Sequence, residues 1–192
     1  ICPQCFLAQA DESEDVSEIF TEYHYFSSFS ESWVEHARRF TVSARERFSL
    51  DQDSFVIEIA SNDGYLLQHF VASNISVLGV DPAENVAKAA EDKGVPTLVA
   101  FFGTTTAQKL ADQGKQADLI VANNVLAHTP YIRDFVEGLK IALKQGGAIS
   151  IEFPHLLRLI NETQFDTIYH EHFSYLSLVA VEGLFERCGL RV

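Results

Sequence analysis

Short apolar runs alternate with stretches of helical periodicity through most of the chain. Runs rich in β-branched residues predict five strands, at residues 55–60, 76–80, 97–100, 118–122 and 148–153. Apolar positions at helical spacing predict helices at residues 65–72, 83–93, 105–113, 131–144 and 177–188. A turn at Gly146-Gly147 is expected to separate the fourth helix from the last strand. This alternation is typical of a doubly wound, mostly parallel α/β sheet.

The first fifty residues follow a different pattern. An acidic run precedes an aromatic and serine-rich cluster at residues 23–30, and apolar residues then recur at helical spacing from Trp33 to Phe40. This spacing predicts a lead-in helix packed against a larger body. We therefore expect the chain to divide into residues 1–50 and an α/β domain at 51–192.

Composition narrows the classes of protein that the chain can belong to. Its 192 residues include 27 Asp and Glu against 14 Lys and Arg, a formal net charge of −13, so an acidic surface would repel a nucleic acid backbone. The sequence has no apolar run long enough to span a membrane. Three cysteines do not make a disulfide framework, which favours a cytoplasmic location. The chain opens without Met, so we expect it to be a piece of a longer protein.

Acidic and small residues follow the first two predicted strands, at the sheet edge where such folds bind ligands. Acids there would repel the pyrophosphate of a dinucleotide, whereas the sulfonium and ammonium groups of S-adenosylmethionine would be attracted. An acid at the end of the second strand can also accept both hydroxyls of a ribose. The alternative is that the acids only cap the following helices. The predicted cofactor-binding residues here are Glu58, Ala60, Asn62, Gly64, Asp81 and Pro82.

Two further strand ends carry candidate residues. Phe101 and Phe102 follow the third strand and could flank an adenine ring, although aromatic residues at such positions more often belong to a core. Asn123, Asn124 and His128 follow the fourth strand, where the two amides could equally form only an Asx turn. Phe102 and Asn123 are added to the predicted cofactor site.

The densest polar cluster follows the fifth strand, over residues 152–155 and 165–175. It contains His155, His170 and His172, with Glu171 between the last two. A neutral imidazole beside a carboxylate is the usual arrangement of a general base. The alternatives are a buried histidine pair with satisfied hydrogen bonds, or a metal site in which His-x-His and carboxylates ligate iron or zinc.

Cys2 and Cys5 form a Cys-x-x-Cys pair that is half of a zinc site. A closed structural site needs four ligands, and no second pair lies nearby in the sequence. Either the partner pair precedes Ile1 in a longer protein, or the two thiols are inert.

Together these motifs resemble those of the S-adenosylmethionine-dependent sugar C-methyltransferases, which act on nucleotide-linked 4-keto-deoxysugars. The resemblance covers nearly the whole chain. It rests on Tyr23-x-Tyr-Phe-Ser-Ser28, Glu58-Ile-Ala-Ser-Asn-Asp-Gly-Tyr-Leu-Leu67, Ala122-Asn-Asn-Val-Leu-Ala-His128, Glu152-Phe-Pro-His155 and Phe165-Asp-Thr-Ile-Tyr-His-Glu-His-Phe-Ser-Tyr175.

The resemblance implies a Rossmann-like sheet of the class I methyltransferase type, with a two-pair zinc module before it and a further domain after it. It implies His172 as the base that removes the proton next to the ketone, with Glu171 orienting it. Tyr169, Tyr23 and His128 would line the sugar and stabilise charge on the keto oxygen. In an acidic protein the sugar diphosphate would need local basic groups, such as Arg158.

Two other classes of function remain open from the sequence. One is a metal-dependent oxidoreductase or hydrolase that uses His155, His170 and His172. The other is a cofactor-binding module without catalysis, because a fold alone does not define an activity. The sequence leaves the sugar, the methylated carbon and the oligomeric state undetermined.

Overall fold

A computed structural model describes residues 1–10, 20–21 and 23–192, and the acidic run after residue 10 lies outside these ranges. The described strands are β1 (Ala8–Gln9), β2 (Phe55–Ile59), β3 (Ser76–Asp81), β4 (Thr97–Val99), β5 (Ala117–Asn123), β6 (Leu143–Glu152) and β7 (Ser174–Tyr175). The described helices are α1 (Glu31–Phe48), α2 (Leu67–Val71), α3 (Glu84–Asp92), α4 (Thr104–Asp112), α5 (Ile132–Ala142), α6 (Leu156–Asn161) and α7 (Leu178–Arg187). No described helix is long and apolar enough to cross a membrane.

Five strands form one parallel sheet in the order β4-β3-β2-β5-β6. The predicted doubly wound, Rossmann-like fold is therefore confirmed. The chain moves outward from β2 in one direction through β3 and β4, and then returns to the other side of β2 with β5. This reversal makes a topological switch point between β2 and β5, where open α/β sheets bind ligands. A separate short pair joins β1 to β7 in antiparallel register.

Helices cover both faces of the sheet, so neighbouring residues of one strand enter different cores. Val56 packs with Phe70 and Leu119 on one face, while Ile57 packs with Ile120 and others on the opposite face. Burial on both faces explains why these strands consist of continuous apolar runs rather than alternating ones.

The predicted lead-in helix is confirmed as α1, which buries Ala37, Thr41 and Ala44. The Ser30 hydroxyl caps its start by accepting from the Trp33 N–H at 3.3 Å, and Ser49 ends it in the left-handed conformation. The helix shares a core with β2 and β5. The division of the chain at residue 50 stays a prediction.

The expected helix at residues 131–144 and the turn at Gly146-Gly147 require correction. Helix α5 ends at Ala142, and Leu143 already pairs with Ala117 in the sheet. The next regular pair is Leu119 with Ala148, so residues 144–147 bulge out opposite Asp118 alone. The Asp118 carboxylate stabilises the bulge by accepting from the Lys144 ammonium at 2.7 Å. Gly146 and Gly147 thus lie inside strand β6 rather than in a turn before it.

Gly138 is required by close packing between α4 and α5. A Cβ at this position would lie 2.8 Å from the backbone carbonyl carbon of Gly103. Backbone atoms cannot rotate away as a side chain can, so the contact leaves no room for a larger residue.

We expect Gly138→Ala to lower the free energy of unfolding by about 1–3 kcal/mol because of this contact. Gly183→Ala in α7 is the matched control, since its Cβ would meet only the far end of the Arg187 side chain, at 3.2 Å, and not backbone. There the gain in helix propensity should stabilise the protein by about 0.5–1 kcal/mol. Urea denaturation measures both changes, and effects of the same sign would contradict the packing argument.

Candidate functional site

A cavity of about 880 Å³ lies at the carboxyl ends of the central strands, at the switch point of the sheet. One part of its wall comes from the ends of β2 and β3 and the segment after β4. The opposite part comes from residues that follow β5 and from the segment between α6 and β7. The cavity therefore joins the two regions that the sequence singled out separately.

The predicted cofactor residues are only partly brought together on this wall. Those that line it are Ala60, Asn62, Asp81, Pro82, Phe102 and Asn123. Glu58 and Gly64 are not among the lining residues, and their part in binding stays a prediction. Gly64 instead adopts a positive φ of 74°, and a Cβ there would crowd Val95 and Ala90. Its observed role is to let the turn after β2 approach α3 and the loop that follows it.

Glu58 is almost completely buried on the face of the sheet that α1 and α2 cover. Neither of its carboxylate oxygens has a hydrogen-bond partner among the described residues. Burial, followed by the charge of Asp81, holds the pKa of Glu58 well above its usual range, and the nearby Tyr65 side chain offsets this in part. Burial thus disfavours the charged form of Glu58.

Asp81 ends β3 with its carboxylate at the cavity wall. One oxygen accepts from the backbone N–H of Asn62 and the other from that of Ala83, each at 2.9 Å. Burial raises the pKa of Asp81, and these two N–H groups oppose the rise. The carboxylate keeps lone pairs for further donors, as the hydroxyls of a ribose would be.

The turn between β2 and α2 is held in an unusual conformation. Ala60 and Asn62 both have positive φ, at 55° and 50°. A residue other than glycine adopts this left-handed backbone conformation at a cost in free energy. Backbone strain of this kind is often found at binding sites. The Asp81 bond to the Asn62 N–H is one contact that holds the turn in place.

A segment that we name the strap, residues 23–30, lies over this turn and contributes Tyr23, Tyr25 and Ser27 to the cavity wall. The Asn62 side chain fastens it, because its amide donates to the Tyr25 carbonyl and its oxygen accepts from the Ser27 N–H, both at 2.9 Å. Asn62 is consequently committed to holding the strap as well as lining the cavity.

Lys93 supplies a second attachment of the strap. Its ammonium contacts the Ser28 hydroxyl at 2.6 Å and the Asp63 carboxylate at 2.9 Å. Since the Asp63 side chain is almost fully buried, this ion pair is shielded from water on one side.

The other part of the cavity holds a cluster of aromatic rings. The His172 ring centroid lies 4.6 Å from that of His128 and 4.3 Å from that of Tyr169. Tyr23 also lines the cavity, and the charge of Glu171 acts on its hydroxyl. The five residues predicted as catalytic therefore lie in one neighbourhood, and their roles stay predictions.

The partner of His172 differs from the expected one. Its Nδ1 lies 2.7 Å from the backbone carbonyl oxygen of Thr167, which can only accept, so Nδ1 carries the proton. In the neutral ring the lone pair is then on Nε2. Glu171 approaches His128 instead, with its Oε2 at 3.9 Å from the His128 Nδ1. The structure thus orients His172 by a carbonyl rather than by Glu171.

Burial sets the protonation of the groups around His172. Desolvation, with a smaller contribution from His172, lowers the pKa of His128 to about 4, so His128 is neutral at pH 7. Desolvation and the charge of Glu171 raise the pKa of Tyr23 to about 12, and the same two causes raise that of Tyr169. Both phenols therefore keep their protons and can donate hydrogen bonds.

The structure does not bring His155, His170 and His172 together. His155 begins α6, where its ring nitrogens lie 3.2 Å from the Leu157 nitrogen and 3.3 Å from the Leu178 nitrogen. In the described part of the chain, no group of three or more His, Cys, Asp or Glu is placed to hold a metal ion. The geometry therefore gives the metal-dependent alternative no supporting observation.

Cys2 and Cys5 lie in a tight loop closed by backbone bonds between Cys2 and residues Phe6 and Leu7. Backbone N–H groups of Cys5 and Gln4 lower the pKa of the Cys2 thiol, which favours the thiolate that zinc binds. The two thiols are half of a four-ligand site, so zinc binding stays a prediction.

The expected diphosphate-binding residue lies apart from the cavity. Arg158 is not among the lining residues, and its guanidinium pairs with the Glu162 carboxylate at 3.1 Å on an exposed face of α6. No Lys or Arg is among the described residues that line the cavity, whereas Asp81 and Asp134 are.

Some site residues could not be identified from the sequence. The Thr167 carbonyl has no sequence signal, because any residue supplies one. Tyr65 and Trp33 also line the cavity, whereas the sequence indicated only that a helix begins near each of them. Tyr25 was within reach of prediction, because it belongs to the Tyr23-x-Tyr25 motif.

The chemistry of this wall fits S-adenosylmethionine. Asp81 offers an acceptor for ribose hydroxyls, Phe101 and Phe102 offer apolar surface for a base, and the described lining has acids but no cations to oppose a sulfonium. A parallel sheet with these features at its switch point defines an α/β domain of the S-adenosylmethionine-dependent methyltransferase class.

Comparison with known proteins leads to the same class of enzyme. The family model described as "Methyltransferase domain" matches residues 33–192, and the chain belongs to this family. The predicted class of enzyme, an S-adenosylmethionine-dependent methyltransferase, is thereby confirmed at the level of family and fold.

Individual relatives refine the comparison. The chain is 36% identical over 192 residues to C-methyltransferase NovU from Streptomyces niveus, covering all of this chain and 46% of the relative, so it spans about half of that protein's length. Solved structures share the fold. Magnesium protoporphyrin IX methyltransferase from Synechocystis with bound SAH has a TM-score of 0.61 at 12% identity, over 81% of this chain and 72% of the other. A SAM-dependent methyltransferase from Archaeoglobus fulgidus has a TM-score of 0.59 at 19% identity, over 79% and 68%.

The low pKa of His128 predicts a pH dependence of stability. Because its pKa is about 4 in the folded protein against about 6.5 when exposed, the unfolded chain binds more protons between these values. The resulting stability is fully present above pH 6.5 and is lost as the pH falls toward 4, by on the order of 3 kcal/mol.

Denaturant unfolding at several pH values measures this dependence. His128→Asn should make the loss of stability between pH 6.5 and 4 distinctly smaller, while His170→Asn, at an exposed position of the same cluster, should leave it as it is. Equal pH profiles for the unmodified protein and His128→Asn would contradict the assignment.

Proposed function

We propose that the full-length protein is an S-adenosylmethionine-dependent C-methyltransferase that acts on a nucleotide-linked 4-keto-deoxysugar. The observation that carries the proposal is His172, whose Nδ1–H is held by the Thr167 carbonyl in the same cavity as Asp81. This leaves a basic nitrogen beside phenolic donors and near the cofactor wall. The similarity to a C-methyltransferase over the whole chain supports the same chemistry.

On the cofactor side, Asp81 would accept the ribose hydroxyls, and Phe101 and Phe102 would flank the adenine. Ala60 and Asn62 would place the backbone of the turn close to the methionine part. When bound, S-adenosylmethionine supplies an electrophilic methyl group. The other steps, removal of a proton from the keto sugar and stabilisation of its enolate, would be performed by side chains of this protein.

On the acceptor side, a carbon next to a ketone becomes a nucleophile only after it loses a proton. His172 Nε2 is the base for this step, because Nδ1 is engaged as a donor to Thr167. The proton then rests on the imidazole, and the Thr167 carbonyl stabilises the imidazolium through the Nδ1–H. Glu171 contributes a negative charge to the same neighbourhood.

The enolate oxygen that forms in this step needs hydrogen-bond donors. Tyr23 and Tyr169 are protonated because burial and Glu171 raise their pKa values, so both can donate to the oxygen. Neutral His128, whose Nδ1 has no hydrogen-bond partner among the described residues, is a third candidate. Carbon methylation next to a ketone requires donors for the enolate oxygen as well as a base, whereas oxygen methylation forms no enolate.

The charge of the cavity supports a particular placement of the substrate. Since the described lining has no Lys or Arg, the neutral keto sugar would enter the cavity and the diphosphate would remain outside it. We place the reaction in the cytoplasm, and Cys2 and Cys5 in a structural zinc module of the full-length protein.

The first test concerns the base. In the full-length protein, His172→Asn should lower kcat for methyl transfer to a 4-keto-deoxysugar nucleotide by about 10²–10⁴-fold. Its affinity for S-adenosylmethionine, measured by calorimetry, should change less than about twofold. Exchange of deuterium from solvent into the carbon next to the ketone should slow in parallel, because it reports the proton step alone.

His170→Asn is the control, with turnover and deuterium exchange close to those of the unmodified protein. Unchanged exchange in His172→Asn would remove His172 from the role of base. Cofactor binding by the unmodified protein without transfer to any keto sugar would favour a binding module over an enzyme.

The second test concerns Asp81. Asp81→Asn keeps the shape but loses the charge and one of the two oxygens that accept from backbone N–H groups, so affinity for S-adenosylmethionine should fall by about tenfold or more. The control is Asp118→Asn, because Asp118 also accepts from a backbone N–H at the edge of a strand, that of Phe55, but does not line the cavity. Calorimetry should show little change of this affinity in Asp118→Asn. An equal loss of affinity in both variants would mean that loss of stability, rather than loss of ribose binding, explains the result for Asp81→Asn.

A further inference from the structure

Asn85 makes a two-point contact with the backbone of a single residue of the strap. Its side-chain oxygen accepts from the Tyr23 N–H at 3.1 Å, and its side-chain nitrogen donates to the Tyr23 carbonyl at 2.7 Å. The two residues are 62 positions apart in the sequence, so the contact joins distant parts of the chain. We name this pair of hydrogen bonds the Asn85 clamp.

The clamp fixes the peptide groups on both sides of the Tyr23 side chain. With its N–H and C=O both bound to one planar amide, Tyr23 can neither slide along α3 nor turn over. The direction in which its phenol leaves the backbone is thereby restricted. Asn62 restrains the strap further along, at Tyr25 and Ser27, but no bond from Asn62 reaches Tyr23 among the described contacts.

The position of Asn85 relates this phenol to the cofactor side of the cavity. Asn85 belongs to the first turn of α3, and the Ala83 N–H just before that helix bonds the Asp81 carboxylate. The start of α3 therefore contacts both the Asp81 carboxylate and the Tyr23 backbone. The distance from Asp81 to the Tyr23 backbone is set by covalent structure and three hydrogen bonds.

We infer that Asn85 is a positioning residue, whose clamp holds the Tyr23 hydroxyl where the oxygen of the enolised substrate develops charge. The inference rests on the proposed function for the identity of that oxygen. An oxyanion donor is effective only when it is held in place before charge develops, because reorientation during the reaction would cost part of the stabilisation. Asn85 touches neither substrate nor cofactor in this arrangement and acts through Tyr23.

Asparagine is chemically required for the clamp. Its amide has one acceptor oxygen and one donor nitrogen in a plane, which matches the N–H and C=O of a peptide. Aspartate has the same shape but only acceptors, so it would repel the Tyr23 carbonyl. Aspartate is nevertheless favourable in the first turn of a helix, where the dipole attracts negative charge. Asn85→Asp therefore replaces the bond to the Tyr23 carbonyl by repulsion and keeps an acceptor for the Tyr23 N–H, without weakening α3.

The experiment uses the full-length protein with S-adenosylmethionine and a 4-keto-deoxysugar nucleotide. We expect Asn85→Asp to lower kcat by about tenfold, with less than a twofold change in affinity for S-adenosylmethionine. In a Tyr23→Phe background the same substitution should lower kcat by less than twofold, because the hydroxyl that the clamp positions is already gone. Lys88→Ala, at an exposed position of the same helix, is the control with unchanged kinetics.

A readout without turnover accompanies the kinetics. Amide hydrogen exchange at Tyr23 should accelerate at least tenfold in Asn85→Ala, because its N–H then loses the side-chain oxygen that accepts from it, and should not change in Lys88→Ala. A purely structural role of Asn85 would lower kcat equally with and without the Tyr23 hydroxyl, and that result would overturn the inference. Faster exchange with unchanged kcat would overturn it as well.

Failure of the proposed function gives a different result. In that case the unmodified protein transfers no methyl group to keto sugars, while exchange at Tyr23 still depends on Asn85. Unchanged exchange at Tyr23 in Asn85→Ala overturns the clamp itself, whatever the activity.

Discussion

The hydrogen bonds of Asn62 are the interaction on which the arrangement of this site depends. Its backbone N–H binds Asp81 at the end of β3, while its side chain binds the Tyr25 carbonyl and the Ser27 N–H of the strap. One residue with positive φ thus connects the acid that faces the cofactor region with the segment that closes the cavity. Because buried polar groups are costly to leave unpaired, loss of the Asn62 side chain would leave the Tyr25 carbonyl and the Ser27 N–H of the strap without this partner, while the backbone bond to Asp81 would remain.

Burial in the cavity accounts for the protonation states that the proposed carbon methylation needs. Burial disfavours charge, so His128 stays neutral and the tyrosines stay protonated. His172 is oriented by a carbonyl, which fixes its tautomer without placing a second charge against the ring. A site with acids and no described cation is suited to a sulfonium cofactor and to a neutral reacting carbonyl group.

Much of the fold could be predicted because strands buried on both faces leave continuous apolar runs in the sequence. The start of β6 could not, since four residues bulge opposite Asp118 and the glycine pair looked like an ordinary turn. In the site, residues with distinctive chemistry such as Asp81 and His172 could be identified. Glu58 was expected at the cavity from its place at the strand end, but it is buried and is not among the lining residues, so its part in binding stays a prediction.

The sequence by itself determined the order of strands and helices, the acid at the end of β3 and the Tyr-His-Glu-His block, because these depend on residue type and local spacing. Only the tertiary structure decided which groups meet. Thr167 provides a backbone carbonyl to His172, and Asn85 reaches Tyr23 across 62 positions of sequence. Backbone groups are the same in every residue, and a long-range contact leaves no periodic pattern, so such partners are defined only when the chain is folded.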